Sequence, residues 1–386
     1  MRTNTIFRLR LAHLLFGMMF WYGIEQLFLN KYLHTASARG YLTIAFTASL
    51  IVFDIPGGIL ADRLGRKTAL LLGCVAQTAG IIILGSSDSL TQYLIGVVVF
   101  GIFISLMNGA AQALLYDHLA LSELSGTYGK LQGSMYALFL IGAGIANLAS
   151  GFIAHSLGLR APFFLSIIPS IMAFVLLLPI AEPPLSKAAA KWYAHLGVVL
   201  REIRAHPRIM VYGVQFMVSE LVLLTIGEFG QIYILSFGVS TIALGVLWSI
   251  DAMFAAAGRL WAHRMQNRPH LTLVLYCAAM LCFALTRSAL GIVLFWVVYG
   301  CNEALANIAE AHIQAETKSS VRATLFSTVS FMGNVLAIPA VFLFNHLYVT
   351  HSITRANLTA SLAAIGILLL TAVFTKRLGR SSPTTT

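Results

Sequence analysis

Six acids stand inside long apolar stretches of the chain: Glu25, Glu220, Glu228, Asp251, Glu303 and Glu310. A charge at the middle of a bilayer costs roughly 2.5–3.5 kcal/mol on insertion scales, so acids placed there face water, share hydrogen bonds or hold protons. No Lys or Arg falls at the centre of a stretch, and Arg259 lies towards one end. Carboxylates without basic partners are therefore expected. Burial disfavours their charged form, so the chemistry they suit is the uptake and release of protons, or the binding of a cation.

Polar groups also follow helical period. Glu303, Asn307, Glu310 and Gln314 are spaced i, i+4, i+7 and i+11, which makes one stripe on a helix. Ser105, Asn108, Gln112 and Tyr116 form a second stripe, and Ser327, Ser330 and Asn334 a third. Such stripes suit a water-filled path; they equally suit polar glue between helices. Glu25 and Glu228 are approached alike, through "WYGIE" and "LTIGE", and Gln231 follows one turn beyond Glu228. His13 and His312 stand near the ends of their stretches, as proton relays or structural groups. The chain has no G-x-S-x-G, H-E-x-x-H or Walker sequence. Its four cysteines, Cys74, Cys277, Cys282 and Cys301, have neither zinc-ligand nor disulfide-framework spacing and read as small buried hydrophobes. No enzyme activity, metal or bound cofactor is expected.

The elements that must position these groups are membrane spans. Of 386 residues, 58% are hydrophobic and 10% charged, against roughly 25% charged in soluble domains. Mean hydropathy is +0.83. A net charge of +11 comes from short basic runs between apolar stretches, not from one polar face, which argues against nucleic acid. Twelve spans are expected: 9–30, 40–61, 67–86, 91–116, 128–155, 161–180, 209–236, 240–262, 270–287, 289–313, 322–347 and 353–375. The first begins like a signal peptide, but its apolar run reaches Leu29, beyond the usual roughly 7–15 residues, and it reads as a retained span.

With the N-terminus in the cytoplasm, all Lys and Arg except Lys31, Arg39, Arg160, Arg287 and Arg355 fall in inner segments. The positive-inside rule thus places both termini in the cytoplasm of a multi-pass protein of the inner (plasma) membrane. The polar stretch 181–208 is basic and partly amphipathic, and Pro183 and Pro184 stop the sixth span. It divides the chain into six-span halves at 1–180 and 209–386. A weak repeat supports the division: "GGILADRLGRK" follows the second span and "AGRLWAHRMQNR" the eighth, at an offset of 201 between Arg63 and Arg264.

The stretch "DIPGGILADRLGRK", residues 54–67, crowds charge and glycine between two apolar runs. It resembles the major facilitator superfamily signature G-x-x-x-D-R-x-G-R-K, matching at Gly58, Asp62, Arg63, Gly65, Arg66 and Lys67. "ALLYDHL" and "SSVRATLFS" resemble further elements of a bacterial efflux-permease branch. The resemblance implies an all-α membrane fold of two pseudo-symmetric six-helix bundles, with spans 1, 4, 7 and 10 lining a central cavity. It also implies a conformational latch at this loop, with a partner near the start of the eleventh span around Arg322. Physically, Gly57 and Gly58 would let a helix approach closely, Gly65 would permit the turn, and Asp117 is within reach of the arginines. The alternative reading is that the basic residues only set topology. The fifth span carries Gly142, Gly144 and Gly151 but lacks the proline of the antiporter pattern G-P-x-x-G-G.

The expected function is proton-coupled export of a small amphipathic or cationic compound by alternating access, driven by a proton gradient. Acids in a cavity without basic partners suit a cation over an anion, and plentiful Phe and Met suit a loose apolar pocket. The alternatives are proton-coupled uptake of a neutral nutrient and a non-transporting membrane sensor on the same scaffold. The expected partners are a small-molecule substrate, protons and the lipid bilayer, with no nucleic acid, and the chain is expected to be a monomer.

Overall fold

The computed structural model describes residues 2–34, 38–120, 128–182, 207–266, 268–316 and 322–380, and all regular structure among them is helical. The first crossing is α1 (Arg2–Gly17) and α2 (Glu25–Tyr32), joined through a 3-10 turn at Tyr22–Ile24. Four long helices follow: α3 (Ala38–Leu64), α4 (Arg66–Gly85), α5 (Leu90–Ala120) and α6 (Tyr128–Leu157). The sixth crossing is α7 (Ala161–Leu165) with α8 (Ile167–Leu177), bent at Ser166, whose hydroxyl donates to the Pro162 carbonyl at 2.7 Å. The seventh is α9 (Pro207–Val222), a π turn at Leu223–Gly227 and α10 (Gly230–Leu235). Then come α11 (Thr241–Met265), α12 (Pro269–Leu285), α13 (Leu290–Glu316), α14 (Arg322–Thr350) and α15 (Ile353–Arg380). This is the twelve-span, all-α order that the apolar runs predict.

Among the described residues, eight helices are long and apolar enough to cross a membrane, and two shorter apolar ones, Ala161–Leu177 and Pro269–Leu285, join them. Leu157, Val274, Phe342 and Leu370 are each at least 60% exposed. Such outward apolar faces are a liability in water and are covered by lipid in a bilayer. Three expected spans prove interrupted: 9–30 and 209–236, and 161–180 at Ser166. Hydropathy is blind to such breaks, because an apolar run reads the same whether or not its backbone bonds continue.

By packing, the chain forms two compact units, Met1–Lys187 with Gln231–Ala256, and Ala188–Gly230 with Ala257–Thr386. This differs from an even division at 181–208, because 231–256 pack within the first unit. Residues 183–206, most of the expected connector, lie outside the described residues. In the first unit, Trp21, Phe28, Tyr93, Phe100 and Phe163 fill the space beside the break in the first crossing. Trp21 stacks on Phe163 with centroids 5.5 Å apart, and Phe28 meets Phe163 at 4.7 Å. The helices there approach closely through small residues. A Cβ on Gly142 would collide with the Leu14 carbonyl, and one on Gly17 with that of Phe139, so α1 and α6 touch backbone to backbone. Gly151 and Gly245 do the same for α6 and α11. The fifth crossing keeps its close packing without a proline.

In the second unit, Ile209, Tyr212 and Phe216 on α9 meet Ala306, Ala309 and Ile313 on α13, with Leu325 and Val329 from α14. The first two sets follow i, i+3, i+7, the spacing that aligns one helix face with another. Cys74 is buried as expected, Cys277 and Cys301 are half-buried, and Cys282 is instead exposed on α12.

Candidate functional site

The first unit holds a buried charge knot at the break in the first crossing. Glu25 opens α2, and Arg39 stands in the first turn of α3. Arg39 Nη1 donates to Glu25 Oε2 at 2.7 Å, and the Tyr93 hydroxyl donates to Glu25 Oε1 at 2.8 Å. Arg39 Nε also reaches Gln26 Oε1 at 3.4 Å, and Gln26 Nε2 donates to Asn30 Oδ1 at 2.8 Å. Glu25 is 3% exposed, Arg39 4% and Tyr93 fully buried. This corrects the expectation of a carboxylate without a basic partner. Arg39, counted from sequence among the residues between spans, belongs to the interior.

The second unit holds a larger cluster on the tenth crossing. Arg259 on α11 donates to Glu303 Oε2 at 3.0 Å and to Glu310 Oε2 at 3.4 Å. Both acids lie on one face of α13, as their spacing predicts, and Arg259 bridges them; the expectation that they lack a basic partner is again corrected. A backbone contact makes the reach possible, since a Cβ on Gly258 would run into the Gly300 backbone. Glu220, on α9, lies within electrostatic range of Arg259, Glu303 and Glu310. Two carboxylates thus hold one bridging guanidinium, with a third in electrostatic range. Beside Glu303, the Tyr276 hydroxyl donates to Asn302 Oδ1 at 2.6 Å and ties α12 to α13.

The loop between the second and third crossings is built around Gly65, whose φ of +100° favours glycine. A Cβ there would also strike the Glu182 carboxyl group. Glu182 accepts the backbone N–H of Arg66 at 2.6 Å and that of Lys67 at 3.0 Å, an acidic cap on the N-terminus of α4. Arg66 pairs with Asp117 and donates to the Ala113 carbonyl at 3.0 Å, while Lys67 Nζ donates to the Leu178 carbonyl at 2.6 Å. The structure therefore unites Gly65, Arg66, Lys67 and Asp117. Gly58 does not serve as expected: nothing lies within 4 Å of a Cβ placed there, while Gly57 meets Leu106 at an ordinary 3.5 Å. Arg63 is exposed. The side chains of Asp62, Asn108, Gln314 and Arg322 lie outside the described residues.

Of the remaining candidates, Gln112 and Tyr116 are exposed on α5, and Tyr116 packs edge-on against Tyr128. Asn307 is half-buried and Asn334 buried. Glu228 is half-buried just after the π turn, with its N–H bonded to the Leu223 carbonyl at 2.9 Å. Gln231 is not on a continuous helix with Glu228; it begins the short α10 and is 1% exposed. His13 bonds the Leu9 carbonyl at 2.8 Å, a structural contact, and His312 stacks flat on Tyr212 at 4.3 Å. Sequence reasoning missed Gln26, Arg39, Tyr93, Tyr276 and Glu182. Glu182 carried a signal, an acid just after the sixth span on the loop's own side; Arg39 looked like a boundary residue, and the others like ordinary span residues.

The Major Facilitator Superfamily model matches residues 9–341. Multidrug resistance protein 2 of Bacillus subtilis (strain 168) is 27% identical over 146 residues, covering 38% of this chain and 35% of the relative. Myo-inositol transporter 2 of Cryptococcus neoformans var. grubii is 31% identical over 159 residues, covering 39% and 28%. These matches span about a third of the relatives' length. A solved D-xylose–proton symporter superposes with a TM-score of 0.76 at 14% identity, covering 96% of this chain and 97% of that one. The nucleoside transporter NupG gives 0.71 at 14%, covering 97% and 99%. At such identities the solved structures show the fold alone, and the family model carries the assignment: this membrane-spanning chain belongs to the major facilitator superfamily, a family of transporters and not of enzymes.

Proposed function

We propose that the protein is a proton-coupled secondary transporter that exports a small amphipathic or cationic compound by alternating access from the inner membrane of a bacterium. The observation that carries this reading is the Glu220, Arg259, Glu303 and Glu310 cluster. Among the described residues, three carboxylates lie near this one guanidinium in a low-dielectric interior, a cluster in which acids outnumber the base. An excess of that kind is neutralised by bound protons or by a cation. A proton and a cationic substrate then compete for the same carboxylates, so each favours a different occupancy and, through it, a different conformation. The likeness to a multidrug resistance protein supports this direction. The likeness to a myo-inositol transporter supports a second reading, proton-coupled uptake of a neutral polyol or sugar.

Proteoliposomes with an imposed pH gradient separate the two, with ethidium as the cationic probe and myo-inositol as the neutral one. Glu303→Gln and Glu310→Gln are expected to lower gradient-driven ethidium movement at least about tenfold, equivalent to about 1.4 kcal/mol. Thermal stability in detergent should change far less. Gradient-driven movement of myo-inositol alone would select the second reading. Wild-type rates in both variants, for both probes, would remove the cluster from the pathway.

A further inference from the structure

Gln231 makes a contact that the proposed transport cycle does not use. Its carboxamide Oε1 accepts the backbone N–H of Gln26 at 2.9 Å, and its Nε2 donates to the Tyr22 carbonyl at 2.5 Å. In an uninterrupted α-helix those two backbone groups bond to each other, because the N–H of residue 26 is the natural donor to the C=O of residue 22. The seventh crossing thus inserts a side-chain amide into one rung of the first crossing. Insertion of a side chain into the i→i−4 ladder is a recognised cause of a sharp helix break. The rung lies at the downstream edge of the break: α1 stops at Gly17, Tyr22 and Ile24 bond in tighter 3-10 turns to Met19 and Trp21, and α2 restarts at Glu25.

We infer that Gln231 is a wedge that holds the first crossing broken, and that its withdrawal lets Tyr22 and Gln26 bond and the crossing straighten. The two arrangements exchange like for like. With the wedge in place, a carboxamide satisfies both backbone groups. With it withdrawn, the backbone groups satisfy one another, and only the Gln231 carboxamide must find new partners. The backbone is thus satisfied in both arrangements, which is what a conformational switch requires of it. Glu25 stays tied to Arg39 and Tyr93, and Gln26 to Asn30 through its side chain, so α2 is held and the segment before it moves. The wedge side is equally well defined. Gln231 is 1% exposed and begins α10, immediately beyond the π turn and Glu228, where the seventh crossing is itself broken.

The test needs no substrate, so it stands or falls apart from the proposed function. Spin labels are placed at Phe7 and Lys31, either side of the break and both exposed, in full-length protein in phosphatidylcholine–phosphatidylglycerol nanodiscs. A straight helix between these positions would separate the backbones by about 36 Å, and the wild-type distribution is expected to fall below that value. Gln231→Leu, which removes both bonds, is expected to move most of the distance distribution to the long value. Gln231→Asn, one methylene too short to span both groups, is expected to give a mixture, and covers the case in which the leucine variant fails to fold. Distributions identical to wild type in a folded Gln231→Leu or Gln231→Asn protein would overturn the wedge.

Discussion

Two buried charge groups in this protein use the same residue types with different stoichiometry. In the first unit one acid, Glu25, meets one guanidinium and one phenol, and the formal charges cancel. In the second unit Arg259 bridges two acids with a third in range, and among the described residues the acids outnumber the guanidinium. A balanced pair with its oxygens occupied has no vacancy for a proton or a ligand, so it serves as an anchor. An unbalanced one must recruit positive charge from elsewhere. The difference moves the proposed coupling away from Glu25, which the apolar sequence around it makes look like the exposed member, and onto α13.

The largest effect expected from this contrast is at Arg39. Removing one partner of a buried ion pair typically costs about 3–5 kcal/mol, because the other charge is left unpaired. Arg39→Met should therefore lower the melting temperature in detergent severely. The double variant Glu25→Leu with Arg39→Met should regain most of the loss, since a matched apolar replacement leaves neutral groups such as the Tyr93 hydroxyl and the Gln26 carboxamide without these partners but no buried charge unpaired. A double variant as unstable as the single one would show that the acid does more than anchor α2, and would reopen it as a coupling group.

A smaller effect is expected at the contact that lets Arg259 reach its acids. Gly258→Ala puts a methyl group against the Gly300 backbone, and overpacking of this kind typically costs about 1–3 kcal/mol. The two helices must part, and the 3.0 Å bond from Arg259 to Glu303 lengthens. Gradient-driven flux should fall together with stability. The same substitution at Gly58, where nothing lies within 4 Å, should leave both unchanged. Equal behaviour of the two variants would mean that helix separation does not govern the cluster.

How much of this was legible in the sequence depends on the range of the interaction. The twelve crossings follow from apolar run length, and the shared face of Glu303 and Glu310 follows from helical period, both local properties of the chain. The turn at Gly65 was legible from its glycine and its charges. The partners were not. Arg259 and Glu303 are 44 residues apart, and what joins them is a two-glycine contact with no periodic signature. Arg39 was misplaced because a charge at the edge of an apolar run looks like a boundary. Here it opens a helix whose first turn is buried. The break in the first crossing was hidden for another reason: its cause lies in Gln231, 205 residues from Gln26.

The smallest effect sets the scale for the other two, because it concerns charge outside the low-dielectric interior. Glu182 is exposed, yet it caps the first turn of α4 through the N–H groups of Arg66 and Lys67. An acid at a helix N-terminus contributes typically about 0.3–1 kcal/mol at low ionic strength, and salt screens it. Glu182→Gln keeps the shape and an acceptor oxygen and loses only the charge. Its destabilisation should lie in that range at low salt and shrink towards zero near 1 M, where the Debye length falls to about 3 Å. Arg39→Met, measured beside it, should lose as much stability at 1 M salt as at low salt, because no ions enter the knot around Glu25. If the losses at Arg39 and Glu182 fade with salt in parallel, water reaches the knot, and the distinction between a sealed anchor and an exchangeable cluster fails at its first premise.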